Sequence, residues 1–586
     1  MSDPASASVQ DRLSGLLAQA VASLLPQGEE PPLCVFERSR PDFASDYQSA
    51  VAMQLARTLR RPPRDIAGQL AELLAESAGE LVEAPEVSGP GFLGVRVSEA
   101  CLAGELARCL GSERLNVPQE CSGTVVIDYS SPNVAKRMHI GHIRSTVIGD
   151  ALRRMGSFLG YKVIADNHIG DWGTQFGQLI YAYRNWLDAE QFDQDPVGEL
   201  ERLYVRFHKE ADASPELHDA AREELRKLQA GDPDNFALWT LFRRSSRDAF
   251  DSLYDRLGVE FDVTHGESHY KDALGPLVED LLEQGIAEHS EGAVCVFFRD
   301  EHGEDTMTPF LVQKKDGAHL YATTDLATVQ FREKEWSPVR MIYVTGGPQQ
   351  LHFRQVFETS RRMGVTTDMV HVWFGMMSLP EGAFSTRKGN VILLDELLDE
   401  AEGRARALQV ERLEARGETW SEDELDRLAR TLGLGAVKYA DLSNNPQTNV
   451  VFSFDRMLSF EGNTAPYLQY TSARTNSLAR KATDKGLPPP DGRTFVAAHD
   501  ADRELLLHTL DLGRRVAQAF DEGKPSFLAT YLHELATKYH HWYAACPVIQ
   551  ADDEALALSR LNLNQLARRS LVLGLDLLGI GVPERM

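Results

Sequence analysis

The sequence predicts an α/β multidomain protein: a Rossmann-like, doubly wound parallel sheet follows a small α+β domain and precedes an all-α bundle. Three observations lead to this prediction. Residues 124–165 show the pattern of a strand, a helix and a second strand. Further strand-like runs alternate with helices between residues 293 and 373, and the pattern is helical almost throughout from Phe452 onward. We therefore place boundaries near residues 118, 395 and 450.

The first segment, residues 1–118, is expected to form the small α+β domain. Helical periodicity occurs at residues 9–25 and 47–59, and β-like runs occur at residues 33–36 and 92–97. A Gly-Pro-Gly turn comes before the last of these runs, which supports a strand there.

The second segment, residues 119–395, contains the predicted sheet. Its first βαβ unit consists of runs at 124–129, 139–159 and 162–165, which implies a right-handed crossover between parallel strands. Residues 181–265 are long, charged and helical in period, so we expect an insertion into the sheet domain. The second half of the sheet would comprise four further strand-like runs, at residues 293–298, 308–312, 341–345 and 370–373.

The remaining residues are predicted to be helical. Residues 396–450 form a connecting segment with many charges, and residues 451–586 form a separate bundle with one linker-like break at 488–491.

Composition limits the possible classes of protein. Hydrophobic residues make up 43% of the 586 residues and charged residues 25%, as in soluble globular proteins. The start resembles no signal peptide and no apolar run is long enough to span a bilayer, so we expect a cytoplasmic protein without a membrane partner. The six cysteines include no C-x-x-C pair, which favours reduced thiols and no metal site. The net charge of −26 disfavours nucleic-acid binding, but it does not report the field at one groove.

The loop after the first predicted strand carries candidate phosphate ligands. His139 and His142 are three residues apart at a helix start, so both side chains project from one side. Free backbone N–H groups and the helix dipole favour anions there, and imidazoles can donate to phosphate oxygens. Gly141 lets a flat base approach the backbone, and Lys136 offers a point charge. Two capping or core histidines are the alternative, which the preceding strand and loop disfavour.

Three further segments are candidates. Residues 383–391, AFSTRKGNV, suit either a loop that closes over a triphosphate or a plain surface loop. Tyr321 and Asp325 share one predicted helix face, and Asp128 ends the first strand, where ligands of open α/β sheets bind. Two acids and a tyrosine near one pocket suit a guanidinium. The glycine-rich loop 166–177 is either a tight crossover or a wall of a nucleotide cleft.

The segment SSPNVAKRMHIGH, residues 130–142, resembles the HIGH signature of class I aminoacyl-tRNA synthetases in the form found in arginyl-tRNA synthetases. The resemblance extends over essentially the whole chain. GDWGTQFG, YATTD, QQLHFRQVFE, LSFEGNTAPYLQYTSAR and the terminal VPERM are all similar to segments of that family. Several motifs in the right order make the resemblance very specific.

The resemblance implies roles for individual residues. The catalytic residues would be Lys136, His139 and His142. The ATP site would comprise Lys136, His139, Gly141, His142, Ser385, Thr386, Arg387 and Lys388. The arginine site would comprise Asp128, Ser130, Asn133, Tyr321, Asp325 and Gln349. The tRNA contacts would be Phe92, Tyr467, Gln469, Tyr470 and Arg474, with ordinary helix packing an equal alternative for Tyr467.

Three positions depart from the family's pattern. Thr386 stands at the second lysine of the K-M-S-K-S signature, and Lys136 is expected to substitute for that lysine. Gln350 stands where many relatives have an acid. Gly94 stands where relatives have the asparagine of G-F-I-N, a position implicated in contacting the tRNA D-loop.

The resemblance implies an arginine–tRNA ligase. ATP, with Mg²⁺, and L-arginine would form arginyl-AMP and pyrophosphate, and the arginyl group would pass to the 2′-OH of the terminal adenosine of tRNA(Arg). It further implies that activation requires bound tRNA, that the N-terminal domain contacts the tRNA elbow, that the C-terminal bundle binds the anticodon, and that the protein is a monomer. Two other classes stay open: a nucleotidyltransferase that needs no tRNA, and a tRNA-binding paralogue without catalysis. The C-terminal bundle disfavours the first, and the intact Lys136, His139 and His142 disfavour the second.

Overall fold

The computed structural model describes residues 8–40, 43–378 and 392–586. The described residues before 118 form four helices and four strands: α1 (Val9–Leu24), β1 (Glu37–Arg38), β2 (Tyr47–Ser49), α2 (Val51–Leu59), α3 (Pro63–Ser77), β3 (Glu86–Ser88), β4 (Phe92–Val95) and α4 (Glu99–Gly111). The strands make an antiparallel sheet of order β1-β2-β4-β3. A small α+β unit is therefore present, as predicted.

Two predicted elements of this unit differ from the structure. Residues 33–36 form no strand, and the short strand β1 follows them. The predicted helix 47–59 begins only at Val51, because Tyr47 and Ser49 alternate inward along β2 and pair with β4. A three-residue strand next to a helix is too short to change the helical periodicity of the whole window.

The second unit begins with a strand, a helix, a strand and five further helices: β5 (Thr124–Asp128), α5 (Ile140–Leu159), β6 (Lys162–Asp166), α6 (Thr174–Trp186), α7 (Ala189–Gln194), α8 (Pro196–Ala213), α9 (Glu216–Gln229) and α10 (Pro233–Leu257). It continues with α11 (Leu274–Glu283), β7 (Glu288–Ser290), β8 (Ala293–Arg299), β9 (Asp305–Gln313), α12 (Tyr321–Trp336), β10 (Arg340–Gly346), α13 (Gln350–Arg362), β11 (Asp368–Phe374) and β12 (Met377–Ser378).

A parallel sheet of order β11-β10-β5-β6 forms the centre of this unit. Alternate residues of its strands point to opposite faces. Val125 and Ile127 of β5 pack with α5, whereas Val126 packs with α12 and α13. Both faces are thus buried, which is the doubly wound arrangement that the sequence predicts.

The prediction that residues 293–298 and 308–312 join the parallel sheet is wrong. Strands β7, β8 and β9 form their own antiparallel sheet. Only residues 300–304 connect β8 to β9, and parallel neighbours need a crossover of about a dozen residues or more. The connection is therefore too short for the predicted topology.

The rest of the chain is almost entirely helical, as predicted. It contains α14 (Leu394–Arg416), α15 (Glu422–Leu442), β13 (Val450–Val451), α16 (Phe454–Met457), α17 (Ala465–Asp484), α18 (Asp500–Thr509), α19 (Leu512–Asp521), α20 (Ser526–Ala545) and α21 (Glu554–Leu577). Residues 488–491 lie in the break between α17 and α18. The predicted α/β multidomain class, with an all-α C-terminal bundle, is confirmed.

Contacts between the units are polar as well as apolar. Arg503 of α18 donates from Nε to Asp46 Oδ1 over 2.9 Å, and both side chains are buried, so the first unit is tied to the bundle. All six cysteines are unpaired. No helix among the described residues is long and apolar enough to cross a membrane.

Candidate active site

The carboxyl ends of β5 and β6 bring two aspartates side by side, because Asp128 and Asp166 are in register. Arg332 of α12, which is fully buried, donates from Nη2 to Asp128 over 2.7 Å and to Asp166 over 2.8 Å. Ser131 donates to the other oxygen of Asp128. The structure therefore places Asp128, a predicted arginine ligand, in an internal ion pair that forms the floor of the site and carries one net negative charge.

The loop after β5 has an unusual backbone. Ser130, Ser131 and Ala135 all have positive φ, at 70°, 50° and 63°. Side chains of α10 hold this loop: Tyr254 shares a 2.7 Å hydrogen bond with Ser130, and Ser246 accepts from the Ala135 N–H over 2.9 Å. Three left-handed residues that are not glycine require this kind of support and are typical of functional loops.

Asn133 and Ser130, two further predicted arginine ligands, lie differently in this loop. Ser130 is buried, and its hydroxyl also accepts from Thr146 over 2.9 Å. Asn133 is exposed and lies against Gly170, where a Cβ would overlap its Oδ1. Of the two side chains, only Asn133 is open to a ligand in this structure.

The two histidines cap helix α5. His139 is the N-cap residue, and its Nδ1 accepts from the Gly141 N–H over 3.0 Å. The Nδ1 of His142 accepts from the His139 N–H over 3.1 Å, and the two ring centroids are 4.1 Å apart. Each Nδ1 is thus an acceptor, so each neutral ring carries its proton on Nε2. Two Nε2–H donors therefore remain for a ligand.

The histidines are uncharged near neutral pH. Burial lowers the pKa of His142 to about 4, and the neighbouring His139 and Lys136 add to this effect. Burial and Lys136 also lower the pKa of His139. A phosphate would therefore meet two neutral hydrogen-bond donors and one lysine charge.

The expectation of free backbone N–H groups at this helix start is wrong. The N–H groups of Gly141 and His142 bond to His139, and the Ile140 N–H donates to the Ile392 carbonyl over 3.0 Å. Gly141 itself is required by the cap, since a Cβ there would lie 2.8 Å from the His139 ring. The donors available to an anion are imidazole groups rather than amides.

The second predicted ATP segment lies outside the described residues. It comprises Ser385, Thr386, Arg387 and Lys388, which fall within residues 379–391. The residues that follow lie against the histidine loop: Leu393 pairs with His139, and the Leu394 N–H donates to the Met138 carbonyl over 3.0 Å.

The start of α12 carries the predicted guanidinium residues. Tyr321 is the first residue of this helix and is 65% exposed. Asp325, one turn later, accepts from His352 Nε2 over 2.5 Å. Gln349 is exposed at the end of the 3₁₀ turn Gly347–Gln349. Tyr321 and Asp325 thus lie one turn apart at the start of α12, and His352 links Asp325 to the start of α13, which Gln349 precedes.

A residue that the sequence interpretation missed is Glu267, in the 3₁₀ turn Glu267–Ala273. Burial raises the pKa of Glu267 to about 8, and the charges of Asp325 and Asp171 add to this effect. Burial raises the pKa of Tyr321, and Glu267 adds to this effect. Two carboxyl groups and a tyrosine converge, which suits a cationic ligand. The lone acid in HGES follows no pattern that signals this role.

A buried arginine is one of the side chains that join helix α5 to the rest of the molecule. Arg144 donates from Nε to Asp441 of α15 over 2.8 Å and from Nη1 to the Gly375 and Thr448 carbonyls over 2.8 and 2.9 Å. The side chains of Arg144 and Asp441 are each 1% exposed. The helix that carries His142 is thus joined to α15 and to the end of β11.

The predicted tRNA residues on α17 divide into two sets. Tyr467, Tyr470 and Arg474 share one half-buried face, where Arg474 donates to His540 Nδ1 over 2.8 Å. Gln469 lies on the opposite, buried face and donates to the Thr431 and Gly581 carbonyls. The expectation that Gln469 reaches tRNA is wrong, because its side chain is fully buried and its amide nitrogen bonds within the protein.

Helix α20 adds to this aromatic face. The ring of His540 lies 5.3 Å from that of Tyr467, and Tyr543 lies 5.1 Å from the Arg474 guanidinium. Burial and Arg474 lower the pKa of His540 to about 4, so its Nδ1 is free to accept. These two residues of α20 were not predicted, because only the spatial pairing of two distant helices brings them together.

In the first unit, Phe92 is half-buried and lines a cavity of about 120 Å³ with the exposed Leu33. Gly94, which departs from the G-F-I-N pattern, is buried, and a Cβ there would lie 2.9 Å from the Ser45 side chain. An asparagine at residue 94 would therefore require Ser45 to move.

Comparisons with known proteins match this chain along its length. The model of the class I tRNA synthetase (R) catalytic domain matches residues 105–454. The arginyl tRNA synthetase N-terminal domain matches residues 11–97, and the DALR anticodon binding domain matches residues 468–586.

Curated relatives and solved structures match equally broadly. An arginine–tRNA ligase from Fusobacterium nucleatum is 41% identical over 574 residues, which cover 98% of this chain and 99% of the relative. One from Pseudomonas aeruginosa is 41% identical and covers 99% and 100%. The arginyl-tRNA synthetase structures from Plasmodium falciparum and Thermus thermophilus have TM-scores of 0.83 and 0.79 at 25% and 26% identity. They cover 99% and 98% of this chain, and 99% and 100% of their own chains.

Proposed function

Because this chain belongs to the arginyl-tRNA synthetase family, we propose that the histidine cap of α5 and the acidic opening at α12 are its two reactant sites. The family joins arginine to tRNA(Arg) with ATP, and this chain is a class I arginine–tRNA ligase. One observation supports the proposal: the histidine cap of α5, which follows β5, and the start of α12, which leads into β10, both lie at the carboxyl edge of the parallel sheet, where ligands of such sheets bind.

The ATP half of the proposal rests on the histidine cap. The Nε2–H groups of His139 and His142 would donate to phosphate oxygens, and Lys136 would add a point charge to the same phosphates. Gly141 would face adenine. Ser385, Thr386, Arg387 and Lys388 remain proposed contacts, supported by the position of Leu393 beside His139.

The arginine half rests on charge. The guanidinium would pair with Asp325 and Glu267, with Tyr321 and Gln349 beside it, because a planar fork pairs well with carboxylates. Asn133 would hold the amino and carboxylate ends of the substrate. Asp128 and Ser130 would not contact arginine directly. Asp128 would support the site through its ion pair with Arg332, and Ser130 would support it by holding the loop backbone.

The chemistry would proceed in two steps. The arginine carboxylate attacks the α-phosphorus of ATP, so that a C–O–P bond forms and pyrophosphate leaves. The 2′-OH of the terminal adenosine then attacks the arginyl carbonyl, and AMP leaves. Alignment of reactants and stabilisation of phosphate charge supply most of the rate increase in such reactions.

Mg²⁺ would enter with the triphosphate. No group of three or more metal-binding side chains occurs among residues 8–40, 43–378 and 392–586. In nucleotide sites Mg²⁺ usually keeps several waters and is held mainly by phosphate oxygens, so it needs few protein ligands. The ion would offset phosphate charge, while Lys136, His139 and His142 orient the same oxygens.

The units around the sheet would bind tRNA(Arg). Tyr467, Tyr470 and Arg474 would contact the anticodon loop, because aromatic rings stack on unpaired bases. Phe92 would contact the tRNA elbow. We further propose working units at residues 1–118, 119–395, 396–450 and 451–586, a monomeric state, a cytoplasmic location and activation that requires bound tRNA.

Exchange of pyrophosphate into ATP tests this proposal. The rate is measured with arginine, lysine or citrulline, each with and without tRNA(Arg). We expect exchange only with arginine and only when tRNA is present. Exchange without tRNA would favour a tRNA-independent nucleotidyltransferase, and no exchange at all would favour a tRNA-binding protein without catalysis. Equal exchange with citrulline would contradict the acidic pocket, because citrulline has the same shape without the charge.

A further inference from the structure

Helix α10 of the helical insertion, α6 to α10, supports the loop after β5, and a second helix of the insertion, α8, faces the same loop. Arg137 forms an ion pair with Asp195 just before α8 begins. One residue earlier in the loop, the ammonium of Lys136 lies 4.9 Å from the ring centroid of Tyr204 on α8. The insertion thus contacts the lysine that we place at the ATP phosphates.

We propose that Tyr204 is a positioning residue for arginine activation, whose ring holds the Lys136 ammonium at the phosphate side of the site. This inference rests on the proposed role of Lys136. The distance from the ammonium to the ring is within the range of about 6 Å in which the ring's quadrupole attracts a cation.

The half-buried ring has neighbours on two sides. Tyr204 packs against an apolar cluster that includes Val134 and Ala135 of the same loop. Its other neighbour is His208, whose ring centroid is 4.5 Å away in an edge-on arrangement. Tyr204 also lies close enough to Tyr321 to raise the pKa of that phenol. The ring therefore lies near residues of both proposed reactant sites, Lys136 and Tyr321.

An aromatic partner suits the chemistry better than a carboxylate. Lys136 is exposed, has a flexible four-carbon stem, and forms no ion pair within the part of the chain that the structure describes. A close carboxylate would neutralise the charge that the phosphates need, whereas a ring limits the movement of the ammonium without neutralising it. Glu201 lies one turn before Tyr204, and the charges of Arg137 and Lys136 lower its pKa. Burial has the larger effect and raises that pKa, which disfavours the ionised carboxylate.

A double-mutant cycle tests the inference. Pyrophosphate exchange is measured at saturating arginine and tRNA(Arg) for the full chain and for Tyr204→Leu, Tyr204→Phe, Lys136→Ala and the pair Lys136→Ala/Tyr204→Leu. We expect Tyr204→Leu to lower kcat about two- to fivefold, the effect of an exposed cation–π contact. The KM for arginine should stay unchanged. Tyr204→Phe should recover the rate, since it keeps the ring, and Tyr204→Leu should have no further effect once Lys136 is absent.

The same helix offers a matched control. Arg206 of α8 lies over the Trp186 ring at 4.7 Å, away from Lys136, so Arg206→Ala removes the same kind of contact and should leave exchange unchanged. An equal effect of Tyr204→Leu with and without Lys136 would overturn the inference alone, as would Tyr204→Phe behaving like Tyr204→Leu. Normal exchange by Lys136→Ala would instead overturn the proposed role of Lys136, and the inference with it.

Discussion

At the scale of single residues, the histidine cap links stability with chemistry. The Nδ1 atoms of His139 and His142 accept hydrogen bonds at the N-terminus of the helix, which leaves both Nε2–H groups without a role in the cap. The low pKa of about 4 for His142 keeps that ring neutral near pH 7. The rings can therefore stabilise phosphate charge as it develops without first losing a proton.

Replacement of His142 by alanine tests this role. We expect kcat for arginyl-AMP formation to fall about 100-fold, the usual effect of removing one transition-state donor, while arginine affinity changes little. Single-turnover kinetics measures the step directly. His289→Ala removes an exposed histidine and is the matched control. A loss of arginine affinity without a loss of rate would contradict the role. Thermal unfolding of the variant checks that it remains folded without this helix cap.

Glu267 would give the proposed arginine site a pH dependence. Its pKa of about 8 means that the carboxyl is mostly protonated at pH 6 and half ionised near pH 8. A bound guanidinium favours the ionised form, so arginine affinity should weaken as the pH falls, by up to about fiftyfold from pH 8 to pH 6.

Calorimetric titration with arginine across this range measures the effect. Glu267→Gln should remove most of the pH dependence and bind arginine about as weakly as the unmodified protein does at pH 6. Glu279→Gln, an exposed acid on α11, should leave the dependence intact. An unchanged pH profile in Glu267→Gln would show that this carboxyl does not face the substrate.

At the scale of elements, α15 contacts helix α5, which carries the two histidines. Asp441 is the buried partner of Arg144, which also bonds to the end of β11. Loss of the carboxylate charge would leave a buried guanidinium without compensation, so we expect Asp441→Asn to lower the free energy of unfolding by about 3 kcal/mol. Urea unfolding measures this value. Asp576→Asn, which alters an exposed carboxylate 3.6 Å from Arg154, should change it little, and equal effects of the two variants would contradict the account.

The elements differ in how far the sequence could predict them. The βαβ unit was predictable because β5 and β6 each contain three consecutive apolar residues and α5 is long and periodic. The partners of β8 were not assigned correctly, although the short connection from β8 to β9 already excluded a parallel pair. The positions of the histidines and of Asp325 were predictable from motifs. Glu267, His540 and the Arg332–Asp128 ion pair were not, because each depends on contacts between elements far apart in the chain.

At the scale of the whole molecule, tRNA binding must overcome a net charge of −26. The aromatic and basic face of α17 and α20 would provide a local exception. We expect Arg474→Ala to weaken tRNA(Arg) binding about tenfold and to reduce the salt dependence by about 0.7 in log–log slope, the contribution of one phosphate contact to a single strand. Filter binding over a range of salt concentrations measures both. Arg480→Ala, on the exposed side of the same helix, is the control. A larger loss of tRNA affinity in Arg480→Ala than in Arg474→Ala would mean that the RNA does not bind the face that carries Arg474.

The central claim is that one edge of the sheet has two separate halves, a histidine cap for ATP and an acidic opening for arginine. The most direct test compares Asp325→Ala with His142→Ala. The rate of arginyl-AMP formation is measured in single turnovers with tRNA(Arg) at increasing arginine concentrations. The account predicts that Asp325→Ala approaches the normal rate at high arginine while its tRNA affinity is unchanged, and that His142→Ala stays slow at every concentration. Recovery of His142→Ala at high arginine, with no recovery of Asp325→Ala, would contradict it.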